Sequence, residues 1–154
     1  SKLRRQTSDL AGHIDDVLDG LNALLAHNRL DPDKVSIMGF SRGGLLTLQA
    51  ATLEPSTLDD AIILMAPADG NGALDNVLAN AEQVTDRMLI LVAENDLAQD
   101  DHVALAYKAQ EALEAAGVEV ELLLYPPYGT DGHDLFQSVG DYWSDVLNFL
   151  NSPA

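Results

Sequence analysis

The sequence predicts an α/β protein in three layers, with a mainly parallel sheet between helices. Three observations point there. Short apolar runs alternate with longer amphipathic segments, the pattern of repeated β-α units. A turn-rich loop leaves the C-terminal end of each of three runs, and right-handed crossovers place those ends on one rim of the sheet. The chain has 154 residues, 47% of them hydrophobic and 21% charged, which suits one domain with its own core. We therefore expect residues 1–154 to form a single domain.

The first element is a helix from about Ser8 to Asn28. Ile14, Val17, Leu18, Leu21, Leu24 and Leu25 recur at three- and four-residue steps, and Asp15, Asp16 and Asp19 fall opposite. Asp31-Pro32-Asp33 is a turn. The apolar run Val35-Ser36-Ile37-Met38 is a strand, and Leu45 to Ala51 reads as a helix that Pro55 ends. Ala61 to Met65 is a buried strand. Asp69-Gly70-Asn71-Gly72 is a loop, and a short helix is expected around Leu74 to Val84. Met88 to Val92 is the third strand, with Ala93-Glu94-Asn95-Asp96 leaving its C-terminal end.

Asp100 to Ala116 reads as a helix stopped at Gly117. Val118 to Tyr125 is the fourth strand. Its Glu119 and Glu121 suit a sheet edge, where charge discourages pairing with other chains. A turn-rich loop, Pro126 to Asp134, carries His133. The last helix is expected from about Asp134 to Leu150, with Phe136, Trp143, Val146, Leu147 and Leu150 facing the core.

Charge and composition exclude several classes of function. With 25 acidic and 8 basic residues the formal net charge is −17, which argues against nucleic acid or an anionic membrane surface as partner. No apolar run approaches the length of a membrane span, and no secretory signal is visible, so a cytoplasmic location is expected. There is no cysteine, which removes disulfides and thiolate metal sites. The four histidines are scattered, so no metal site is expected. His13, His27 and His102 read as solvated, and Asp100 and Asp101 as first-turn acids favoured by the helix dipole. No phosphate-binding glycine loop follows a strand, so nucleotide binding is not expected, and no cofactor is expected.

The most informative stretch is Gly39-Phe40-Ser41-Arg42-Gly43-Gly44, lying between a strand and a helix. A serine on such a sharp turn is a nucleophile-elbow pattern. Glycines at Gly39 and Gly43 remove side chains that would clash there. Asp96 leaves a later strand, and His133 precedes the last helix. A serine hydroxyl needs a neighbouring base to take its proton, an imidazole suits that task, and a carboxylate orients the imidazole.

Ser41, Asp96 and His133 in that order resemble the α/β-hydrolase family, more narrowly its dienelactone hydrolase and prolyl-oligopeptidase-like branch. The resemblance implies that Ser41 is the nucleophile, His133 the general base and then acid, and Asp96 the orienting carboxylate. It implies an oxyanion-hole donor in the Arg42 backbone N–H, and small soluble esters or lactones as substrates. It also implies several more strands before the elbow strand. The chain thus reads as the C-terminal part of a truncated α/β-hydrolase fold, without the loop that carries the second oxyanion donor. Losing such a donor costs about 2.7–4 kcal/mol in the transition state. The elbow-strand edge, with Val35, Ile37 and Met38, is expected to pair with a missing N-terminal segment or with a second copy in a homo-oligomer. The competing expectation is a catalytically silent hydrolase-like domain used in binding or assembly. A peptidase of the prolyl-oligopeptidase type is less favoured, because nothing resembling its propeller is in this chain.

Overall fold

The computed structural model describes residues 10–29, 31, 34–54 and 61–152. Its elements are α1 (Leu10–Leu25), β1 (Ile37–Phe40), α2 (Arg42–Leu53), β2 (Ile62–Met65), α3 (Ala73–Leu78), β3 (Met88–Ala93), α4 (His102–Ala115), β4 (Val120–Tyr125) and α5 (Tyr142–Asn151). Two short 3-10 helices, Ala81–Gln83 and Gly132–Gln137, complete them. The strands form one parallel sheet in the order β1-β2-β3-β4, with Ile37 opposite Ile62, Ile62 opposite Met88 and Met88 opposite Val120.

Each strand pairs with the next in sequence, so the crossovers all step the same way across the sheet. Right-handed crossovers then put every connecting helix on one face. The packing follows that rule. Met88, Ile90 and Val92 of β3 pack with Leu45 and Leu48 of α2, Leu74 of α3 and Leu113 of α4, and Leu21 of α1 joins them. The alternate residues Leu89 and Leu91 point to the opposite face, against Phe136, Tyr142, Val146 and Phe149. α5 therefore covers a face that the crossover helices do not reach. Buried Arg87, just before β3, holds its far end by donating to Phe149 O at 2.8 Å and Ser152 Oγ at 2.8 Å. Covered on both faces, β2 and β3 are buried at every position, as the continuous apolar runs require.

Several boundaries differ from the sequence expectation. α1 ends at Leu25 rather than Asn28, and Leu24, expected on the core face, is 48% exposed. Ser8, Pro32, Asp33 and Pro55 lie outside the described residues. β1 runs on through Phe40, so the turn falls on Ser41 alone. The helix expected over 74–84 is two pieces, broken around Asn80. The last helix is also two pieces. Ser138 is extended at φ −136° and ψ 157°, and its carbonyl accepts from Tyr142 Oη at 3.0 Å, so the chain turns before α5 begins. That break rotates Leu147 to the surface, where it is 52% exposed, while Phe136 and Val146 are buried as expected. No described helix is long and apolar enough to cross a membrane.

Candidate active site

Ser41 stands between β1 and α2 with φ 53° and ψ −116°, a conformation that costs a non-glycine residue of order 1–3 kcal/mol. Its backbone is held from three sides. Its N–H donates to Met65 O at 2.8 Å, and its carbonyl accepts from Leu45 N at 3.2 Å and Ala68 N at 3.0 Å. Neighbouring β2 and the loop after it thus impose the strain.

The close approach of the strand end to α2 explains one glycine and reassigns the other. A Cβ on Gly39 would run into the Gly43 carbonyl and come within 2.5 Å of Thr47 Oγ1. A Cβ on Gly43 would meet nothing within 4 Å, which corrects the expectation that Gly43 relieves a clash of its own. The second crowded position is Gly44, where a Cβ would lie 3.2 Å from both Gly39 O and Pro67 Cα. Arg42 is the first residue of α2, in the turn whose backbone N–H groups have no partner within the helix.

Asp96 follows β3 and is 1% exposed. Both of its oxygens face His133 Nδ1, at 2.9 and 3.1 Å. A carboxylate only accepts, so Nδ1 carries the proton and Nε2 presents the lone pair in the neutral ring. Asn95 ties the two loops together. Its Oδ1 accepts from Tyr128 N at 2.8 Å, its Nδ2 donates to Tyr128 O at 3.1 Å, and its carbonyl accepts from Gly132 N at 3.2 Å. A Cβ on Gly132 would lie 2.6 Å from Asp96 N, so glycine is required where the loops touch. Asp131 then accepts from His133 N at 3.0 Å and starts the 3-10 turn that aims the ring. Sequence reasoning missed Asn95 and Gly132. Their adjacency to Asp96 and His133 was the available signal.

His133 also lies beside the elbow, its ring 4.5 Å from that of Phe40. The three expected residues are thereby gathered on one rim. The hydrogen bonds of the His133 side chain are both with Asp96, and none joins it to Ser41 Oγ among the described residues. Catalytic hydrogen bonds are often long without substrate and tighten when it binds.

His102 departs from its expected solvated place. It opens α4 but is 3% exposed, with Nδ1 3.1 Å from Pro67 O and its ring 4.5 Å from that of His133. His13 and His27 are exposed, as expected. Asp100 is exposed, and Asp101 caps α4 by accepting from Ala104 N at 2.9 Å. Residues scattered in sequence therefore converge. Asp96, His102 and His133 place one donor atom each within 4.8 Å of one another, a set able to hold a metal ion.

The model of the Dienelactone hydrolase family matches residues 2–152. No curated protein matches. Among solved structures, a candidate dienelactone hydrolase from Klebsiella pneumoniae is 19% identical with a TM-score of 0.67, covering 94% of this chain and 62% of that one. Dipeptidyl peptidase 4 from Porphyromonas gingivalis is 20% identical with a TM-score of 0.73, covering 94% of this chain and 23% of that one. Acetyl xylan esterase from Paenibacillus sp. R4 is 16% identical with a TM-score of 0.65, covering 88% and 50%. These likenesses establish the α/β-hydrolase fold. The chain spans less than two thirds of the length of each of these proteins.

Proposed function

The chain belongs to the dienelactone hydrolase family, and from that premise we propose that it carries the triad of a serine hydrolase acting on small acyl esters or lactones. The observation that supports this most is a buried Asp96 bonded to His133 beside a strained Ser41. In this reading Ser41 Oγ attacks the acyl carbon while His133 Nε2 takes its proton. Asp96 stabilises the imidazolium, which returns the proton to the leaving alcohol. Water then attacks the acyl-enzyme by the same route. The Arg42 N–H stabilises the oxyanion.

The second oxyanion donor comes, in this proposal, from whatever pairs with β1. Among the described residues β1 has a neighbour on one side only, and Met38 is 40% exposed. The pairing element is an N-terminal segment of a longer protein or a second copy of this chain. Without it, the alternative of a catalytically silent domain acting in binding or assembly gains ground.

Labelling with a fluorophosphonate probe tests the proposal. Labelling is expected in the wild-type chain and lost in Ser41→Ala, with ester turnover falling by about 10⁴-fold or more. Folded protein that takes no label, alone or with the β1 edge covered, would establish the silent alternative.

A further inference from the structure

We propose that Asp96, His102 and His133 form a site for one divalent transition-metal ion of the zinc class, and that the bound ion switches the triad off. The second half rests on the hydrolase reading above. The first half does not.

His102 has no part in that reading. Its backbone N–H donates to Asp96 O at 3.1 Å, pinning the start of α4 against the Asp96 loop. Its Nδ1 lies 3.1 Å from Pro67 O, a carbonyl that can only accept, so Nδ1 carries a proton. In the neutral ring Nε2 is then a lone pair. It faces Asp96 Oδ1 at 3.9 Å, two electron-pair donors turned toward each other inside the protein. A cation between them resolves that opposition. His133 Nδ1, 2.9 Å from Asp96 Oδ2, supplies the third ligand atom.

Ligand chemistry selects the ion. Two imidazoles and one carboxylate are a zinc-type donor set, and imidazole also suits copper, iron and nickel. Calcium and magnesium call for more oxygens than this site offers. Zinc bonds of roughly 2.0–2.2 Å require ligand atoms about 3–3.5 Å apart. His133 Nδ1 lies 3.1 Å and His102 Nε2 3.9 Å from Asp96 Oδ1, and the three residues offer one donor atom each within 4.8 Å of one another. Small ring rotations close the difference. The backbone carbonyl behind His102 is the kind of partner that orients a metal-binding histidine. His133, with 11% of its side chain exposed, is the least buried of the three.

The consequence for catalysis is a change of tautomer. An ion on His133 Nδ1 takes the lone pair there, so the ring's single proton moves through solvent from Nδ1 to Nε2. Nε2 then donates and can no longer accept the Ser41 proton. No net proton is gained or lost, and no redox partner is needed.

Chelator-treated protein titrated with zinc, and with cobalt as a visible reporter, tests the site. We expect one equivalent bound with Kd of about 1 μM or tighter, and a four-coordinate cobalt spectrum. His102→Gln and His102→Phe, checked for folding by circular dichroism, are each expected to weaken binding by at least about 100-fold. His27→Gln is expected to change nothing. Imidazole nitrogen shifts in the unmutated protein locate the ion should both His102 variants unfold. No binding tighter than about 100 μM, or shifts confined to His13 and His27, overturns the site. Zinc should also lower fluorophosphonate labelling at least tenfold, reversibly with chelator. Binding with undiminished labelling overturns the switch alone. Absent labelling in metal-free protein counts against the hydrolase reading and leaves the binding result standing.

Discussion

β3 and β1 carry the two halves of the candidate site, and they differ in what surrounds them. β3 has a strand on each side and helices over both faces, and all six of its residues are buried. The loop it launches is finished, with Asp96 bonded to His133 and Asn95 bonded to the His133 loop. β1 has four residues, one neighbouring strand among the described residues, and Met38 40% exposed. The turn it launches is sharply specified, yet among the described residues no hydrogen bond joins Ser41 to His133, and the proposed mechanism draws one of its two oxyanion donors, the Arg42 N–H, from this rim. The lesson is that a site inherits the completeness of the strands beneath it.

The widest gap expected between the two strands is in stability. Ile90→Ala, at the fully buried centre of β3, is expected to cost about 2–5 kcal/mol, whereas Met38→Ala on β1 should cost under about 1 kcal/mol. Equal losses in denaturant melts would mean that the β1 edge is covered in solution. That outcome would favour assembly through this edge.

A smaller contrast lies within the elbow. Gly39→Ala should cost about 1–3 kcal/mol, because the Cβ meets the Gly43 backbone, which cannot move aside without shifting α2. Gly43→Ala should be neutral or gain up to about 1 kcal/mol, since alanine is the better helix former and the space is open. A reversed order in thermal melts would show that the elbow is not held by the strand-to-helix contact.

The smallest effect sharpens the far edge, β4. Burial raises the Tyr125 phenol above its ordinary value of about 10, and its hydrogen bond to Asp145 Oδ2 and the charges of Asp145 and Glu121 push the same way. The folded value exceeds the unfolded one. The stability linked to the neutral phenol is therefore intact below about pH 10 and is lost as pH climbs toward the raised folded value. Unfolding titrations of Tyr125→Phe should show a shallower alkaline decline than the wild type. Identical slopes would exclude a role for this pair at the β4 edge.

Local pattern explains why much of this was legible. β2 and β3 are continuous apolar runs because both faces are covered, and such runs are visible in any order of packing. The elbow was legible because its strain is local to Ser41 and its neighbours. Leu147 was misplaced because the break at Ser138 resets the helical phase, and no breaker as strong as proline marks it. His102 was misplaced for a different reason. It follows three polar residues at a helix start, where exposure is the ordinary outcome, and only the fold of the 66–68 loop over it brings Pro67 O within reach.

The sequence by itself determined the α/β class, the order of its elements, and Ser41, Asp96 and His133 as the groups on one rim. Those depend on periodicity and turn chemistry, which act over a few residues. The tertiary structure alone decided that all the crossover helices share one face, that Gly44 and Gly132 sit at close contacts, and that His102 joins Asp96 and His133. Those depend on segments distant in sequence being pressed together by core burial, and no short-range pattern records which atoms then meet.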